Sequence, residues 1–150
     1  MADPRFLLAC GSGSTAAAWW VRGTVTGLSA NDCWYAWRLT GANNRELGRG
    51  AAVYPTVPAC LEAAARVMRE ATRAEVEVGT DPLTRLWSWK LRLRGGTVAV
   101  SGRQYQRHRE CLYNLDRFLA AAPVALLCPE PVPVRRAAEG TCPPLLAGLA

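Results

Sequence analysis

A chain of 150 residues, half of them apolar and a fifth charged, is long enough for one packed domain and too apolar to stay disordered. No apolar run reaches the roughly 18 residues that a membrane span needs, so no membrane partner is expected. The net charge of +6 is concentrated: eight cations face two acids in residues 85–117, while the flanking stretches are balanced, which favours an anionic partner.

The opening residues, MADPRFLLACGSGSTAAAWW, echo an export signal faintly at Leu7, Leu8, Ala9 and Cys10. The apolar stretch before the cysteine is shorter than the about 7–15 residues of a secretory core, and Asp3 and Pro4 stand where a basic flank belongs. The expectation is therefore a cytoplasmic protein. Gly11-Ser12-Gly13-Ser14 lacks the Gly-Lys-Ser/Thr ending of a phosphate loop and reads as a flexible linker. Trp19, Trp20 and Val21, then Thr24, Val25 and Thr26, are the first strand material.

WYAWRLT at 34–40 alternates as a half-buried strand, with Tyr35, Trp37 and Leu39 inward and Ala36, Arg38 and Thr40 outward. A turn at 41–44 leads to a less β-prone return strand at 45–49. Cys60, Leu61, Ala64, Val67, Met68 and Ala71 follow the spacing of a helix that buries one stripe. Glu75-Val76-Glu77-Val78 then alternates as a strand, its glutamates on the wet face.

The chain then repeats itself. In WSWKLRL, residues 87–93, Trp87, Trp89, Leu91 and Leu93 face inward and Ser88, Lys90 and Arg92 outward. Arg94-Gly95-Gly96-Thr97 is a hairpin turn, and residues 97–100 return. Cys111, Leu112, Leu115, Phe118, Leu119 and Ala122 reproduce the earlier helical stripe 51 residues on, as Tyr105 reproduces Tyr54. Val124 to Leu127 close the second copy. The expected fold is α+β: two pseudo-symmetric β-β-β-α-β repeats, about 19–79 and 74–128, sharing one antiparallel sheet covered on one face by two helices. Residues 1–128 form a single domain, and the proline-rich residues 129–150 a flexible tail. The core positions of the repeat are Trp37, Trp89, Tyr54, Tyr105, Cys60, Cys111, Leu61 and Leu112.

Trp37-Arg38-Leu39 with Tyr54 and Cys60-Leu61, and Trp89-Lys90-Leu91 with Tyr105 and Cys111-Leu112, resemble the YegP-like family, small bacterial domains of unknown function often found in tandem. The resemblance covers about residues 34–70 and 86–120. It implies paired β-β-β-α-β units on one antiparallel sheet, with the last strand of each unit exchanged across the pair. It carries no activity and no active site. Asn114 departs from the pattern, standing where a small residue is usual three positions after the helix cysteine.

Six cysteines without a C-x-x-C pair, and one histidine, give no clustered ligand set, so no metal or cofactor is expected. Without an export signal the thiols are expected to be reduced. His108 and Cys111 lie three apart near a helix start, where a thiolate–imidazole pair is conceivable. Cys60 fills the equivalent place with no histidine nearby, so Cys111 reads as a packing residue and the protein as a non-enzyme. The remaining signal is charge. Arg38, Lys90, Arg92 and Arg94 project from the open sheet face, Arg103, Arg107 and Arg109 flank it, and Trp34 is a candidate stacking platform. The expected function is a binding module for nucleic acid or another polyanion. The alternative is a structural or protein-interaction module that self-associates or docks a partner through sheet edges and the proline-rich tail.

Overall fold

Seven strands pair into a single sheet in a computed structural model, which describes residues 3–21, 25, 27–29 and 31–134. The strands are β1 (Arg5–Ser12), β2 (Cys33–Thr40), β3 (Glu46–Gly50), β4 (Glu75–Thr80), β5 (Trp87–Leu93), β6 (Gly96–Ser101) and β7 (Leu126–Pro133). The helices are α1 (Ser14–Val21), α2 (Val57–Glu70) and α3 (His108–Ala121). Spatial order in the sheet is β4-β5-β6-β3-β2-β1-β7.

The expected α+β class holds, and the aromatic strands and their helices stand where the periodicity places them. Trp37, Leu39, Trp89 and Leu91 are buried on the sheet face that carries α2 and α3, together with Cys60, Ala64, Val67, Cys111, Leu115 and Phe118. Thr56 caps α2 by accepting from the Ala59 N–H, and Pro58 lies in its first turn, where no backbone donor is needed. Arg94 and Gly95, both at positive φ, make the tight β5–β6 turn.

Several expectations need correction. The sheet is mixed, because β7 runs parallel to β1 while the other pairs are antiparallel. The first strand is β1, outside the expected first repeat. Its Phe6 and Leu8 enter the main core, and what resembles an export signal is a buried strand. Trp19, Trp20 and Val21 belong to α1, and Gly11 to Ser14 are the end of β1 and the start of that helix rather than a linker. Thr24 and Thr26 lie outside the described residues. The strand expected at 124–127 extends through Pro133, and the rest of the expected tail, residues 135–150, lies outside the described residues.

Helix α1 also alters the layering. It packs on the face opposite α2 and α3, where Ala16, Ala17 and Trp20 meet Ala9, Trp34 and Ala36 in a second small core. Trp34 is 0% exposed there, its ring beside Trp20 at 6.2 Å between centroids. Gly11 makes this fit, since a Cβ at that position would stand 2.5 Å from the Trp34 ring. The expectation of a sheet covered on one face only therefore fails at β1 and β2, where the outward-facing Ala36 and Thr40 are also buried. Among the core positions Leu112 is the exception: it is 37% exposed on α3, whereas Leu61 packs against the core.

Candidate functional site

The cations expected to form one basic face are divided between two. Arg38, Lys90 and Arg92 stand on the strand face turned away from α2 and α3, and Arg94 lies in the β5–β6 turn. There β4 supplies the counter-charge: Glu77 lies opposite Lys90 and Glu75 opposite Arg92 across the β4–β5 ladder. Arg92 meets Glu77 at 3.3 Å and also donates to the Gly95 carbonyl. Cross-strand pairs of this kind neutralise the face locally. Sequence reading assigned Glu75 and Glu77 to the wet face correctly, but the register with β5 is a property of the fold. Trp34 is no stacking platform, because α1 covers it completely.

Arg103 and Arg109 lie elsewhere, in a cleft of about 530 Å³ on the helix side of the sheet. Three elements build it. The β2–β3 turn and the start of β3 contribute Asn43, Arg45, Glu46 and Leu47. The β6–α3 connection contributes Arg103 and Tyr105, and α3 contributes Arg109, Glu110, Tyr113, Asn114 and Arg117. Arg109, Tyr113 and Arg117 are successive i, i+4 positions, so a single stripe of the helix presents them together.

The acids of the cleft are already engaged. Glu46 receives Nε and Nη2 of Arg49 on its two carboxylate oxygens, at 2.9 to 3.2 Å, and Glu110 pairs with Arg107 at 3.7 Å. Neither Arg49 nor Arg107 lines the cleft. Arg45, Arg103, Arg109 and Arg117 form no ion pair among the described residues. Two of them ride on rings: Arg103 is 5.3 Å from the Tyr105 centroid and Arg117 is 5.8 Å from that of Tyr113. Tyr113 is 65% exposed and presents a free aromatic surface. Burial pushes the Tyr105 phenol up, with Arg103 pulling the other way, so that ring stays neutral at physiological pH. The result is an open cleft with four guanidinium groups and two tyrosine rings.

Arg107, the third cation expected here, does not line the cleft and is tied to Glu110. Sequence reading missed Arg45, Arg117 and Tyr113. The spacing of 109, 113 and 117 was a usable signal for two of them, whereas Arg45 reaches the site only because β3 pairs with β6 in the middle of the sheet.

The two helix cysteines are packing residues. Cys60 and Cys111 are both fully buried, and burial pushes the Cys60 thiol up to about 12 and the Cys111 thiol up as well. His108 stacks on Trp87, ring centroids 4.5 Å apart. Cys33, Cys60, Cys111 and Cys128 are free thiols, and no cluster of three metal-ligating side chains occurs among the described residues. No described helix is long and apolar enough to cross a membrane.

A mixed sheet with paired aromatic strands under α2 and α3 is the YegP-like fold. The solution NMR structure of yegP from E. coli, a protein of unknown function, superposes with a TM-score of 0.60 at 11% identity, over 91% of this chain and 98% of that one. A UPF0339 protein from Shewanella oneidensis superposes with a TM-score of 0.55 at 9% identity, over 90% of this chain and 96% of that one. At these identities the likeness is one of fold. No protein-family model matches the sequence, and neither does any curated protein.

Proposed function

We propose that this domain is a non-enzymatic binding module whose cleft takes a polyanion, single-stranded nucleic acid being the ligand its chemistry suits best. The observation that carries this reading is the set of four arginines, Arg45, Arg103, Arg109 and Arg117, in one cleft whose two acids are paired elsewhere. Guanidinium groups suit phosphate, and an exposed tyrosine beside them suits an unstacked base. The sheet face, where Glu75 and Glu77 oppose Arg92 and Lys90, is the poorer candidate.

The test is a binding titration with single-stranded DNA and RNA at low and moderate salt. Arg103→Glu with Arg109→Glu is expected to lower affinity by about tenfold or more and to flatten the salt dependence. Arg92→Glu with Arg94→Glu on the other face should change neither. Absence of binding at low salt, or equal loss from both pairs, would refute the assignment.

We infer further that the two halves descend from one duplicated unit. The order β1-β2-β3-α2 answers β4-β5-β6-α3 about the central β3–β6 ladder. Leu8 lies opposite Trp37 as Val78 lies opposite Trp89, and an isolated bridge joins Tyr35 to Tyr54 as another joins Trp87 to Tyr105. On this reading α1 and its flanking loop are an insertion into the first hairpin.

A further inference from the structure

We propose that the outer edge of β4 is a strand-addition site for an extended partner peptide that is basic on one face and apolar on the other. The two ends of the sheet differ in a way that points there. At the β7 end, Leu126 N–H donates to the Pro4 carbonyl and Val134 N–H to that of Cys10, so donors turn inward to β1 on both sides of the register shift between Phe6 and Leu8, and by alternation Val132 does too. Pro131 and Pro133 alternate with them and turn outward. Proline has no N–H, so that edge offers no donor to a further strand at these positions.

The β4 end carries no such block. Trp87 exchanges both backbone hydrogen bonds with Tyr105, on the side of β5 away from β4. By alternation Ser88, Lys90 and Arg92 turn toward β4 and meet Gly79, Glu77 and Glu75. The backbone groups of Val76, Val78 and Thr80 are therefore directed outward along six residues of regular strand. Among the described residues this is a ladder with one side unfilled.

Side chains define the occupant. Val76 is 46% exposed and Val78 half-buried at the margin of the main core, so an added strand with small apolar residues on that face would extend the core over them. Glu75 and Glu77 line the opposite face, where the neighbours of an added strand would be these carboxylates. Cations there are attracted and acids repelled. A second copy of β4 would bring its own glutamates against them, so the charge pattern that discourages self-pairing favours a basic partner peptide. This surface is separate from the arginine cleft and stands without it.

The probe is an end-blocked eight-residue peptide alternating lysine and valine, with its glutamate–valine counterpart as control. Amide hydrogen exchange on the full chain should slow about tenfold at Val76, Val78 and Thr80 with the basic peptide and remain unchanged with the acidic one. Val76→Pro removes one outward donor while sparing the bonds to β5, and should abolish the protection. Glu75→Lys with Glu77→Lys, an exchange of exposed side chains only, should invert the preference between peptides. Unchanged exchange with the basic peptide, or equal protection in both variants, overturns the proposal. So does a concentration-dependent dimer in light scattering that Val76→Pro dissolves, which would give the edge to a second copy.

Discussion

Trp89 donates its indole N–H to Asn114 Oδ1 at 2.6 Å, a buried hydrogen bond that ties β5 to α3 across 25 positions of sequence. Three residues after the helix cysteine, Asn114 occupies the place held on α2 by Ala63, and there the Trp37 indole N–H has no hydrogen-bond partner among the described residues. The departure of Asn114 from the small residue expected at its position thus has a physical cause. Asn114→Ala should destabilise the fold by about 1–3 kcal/mol, since it orphans a buried donor. Urea unfolding checks this, and in a double-mutant cycle the loss should couple strongly to Trp89→Phe.

The weak β-propensity of β3 has a similar explanation. A Cβ at Gly48 would lie 2.7 Å from both Phe118 and Trp89, and one at Gly50 would lie 2.7 Å from Trp37 Nε1. Glycine leaves room for the indoles that cross the strand. Gly48→Ala is expected to cost about 1–3 kcal/mol through overpacking. Gly79→Ala on β4, where a Cβ meets nothing within 4 Å, should be neutral within about 0.5 kcal/mol. Thermal melts of the two variants provide the comparison.

These examples show what was readable in the sequence. The aromatic strands and the stripes of α2 and α3 were legible because alternation and the 51-residue echo are local signals. Helix α1 was not, since STAAAWWV lacks an amphipathic stripe, and its burial depends on Trp34 and Gly11 from other elements. The direction of β7 was equally hidden: a short apolar run with three prolines does not say that it will lie parallel to β1. Two of the cleft's arginines, Arg103 and Arg109, were named from charge alone, but pairing of the neighbouring acids decides which cations remain available, and that is a tertiary fact.

Arg49 links the two cores. It holds Glu46 through Nε and Nη2, donates from Nη1 to the Trp20 carbonyl at 2.9 Å, and lies 4.1 Å from the Trp20 ring centroid. Lysine retains the charge but not the fork or the stacking plane. Arg49→Lys should cost about 1–2 kcal/mol and loosen α1 before the rest of the domain. Limited proteolysis, with cleavage appearing around α1 while the sheet resists, checks the order of opening.

Burial raises Cys60 to about 12 and moves Cys111, Tyr54 and Tyr105 in the same direction. The folded chain therefore holds these protons more tightly than the unfolded chain does. This contribution to stability is complete below the ordinary thiol value and falls as pH rises toward 12. Denaturation midpoints should be flat from neutrality to about pH 8.5 and then decline steadily. Cys60→Ala should make the decline shallower. In the native protein at pH 8, thiol reagents should reach Cys33 and Cys128 well before Cys60 or Cys111.

Within the cleft, charge and stacking are separable. Tyr113→Ala should weaken binding of single-stranded oligonucleotides by about 1–3 kcal/mol without altering the salt slope, whereas Arg117→Ala should reduce that slope by about one unit. Fluorescence titrations at several salt concentrations distinguish the two effects.

The parallel seating of β7 on β1 joins the first strand of the domain to the last. Leu126 bonds to Pro4 and Val134 to Cys10, so the outer side of β1, the first of the seven strands in chain order, is paired only once β7, the last, has been made. A nascent chain lacking that strand has everything except the staple on its outermost ribbon. Loop closure over such a distance is entropically slow, and a late, rate-limiting docking step is its natural kinetic signature. Because the two strands run the same way, the start of β1 and the end of β7 stand at opposite ends of the sheet, a strand's length or roughly 25 Å apart.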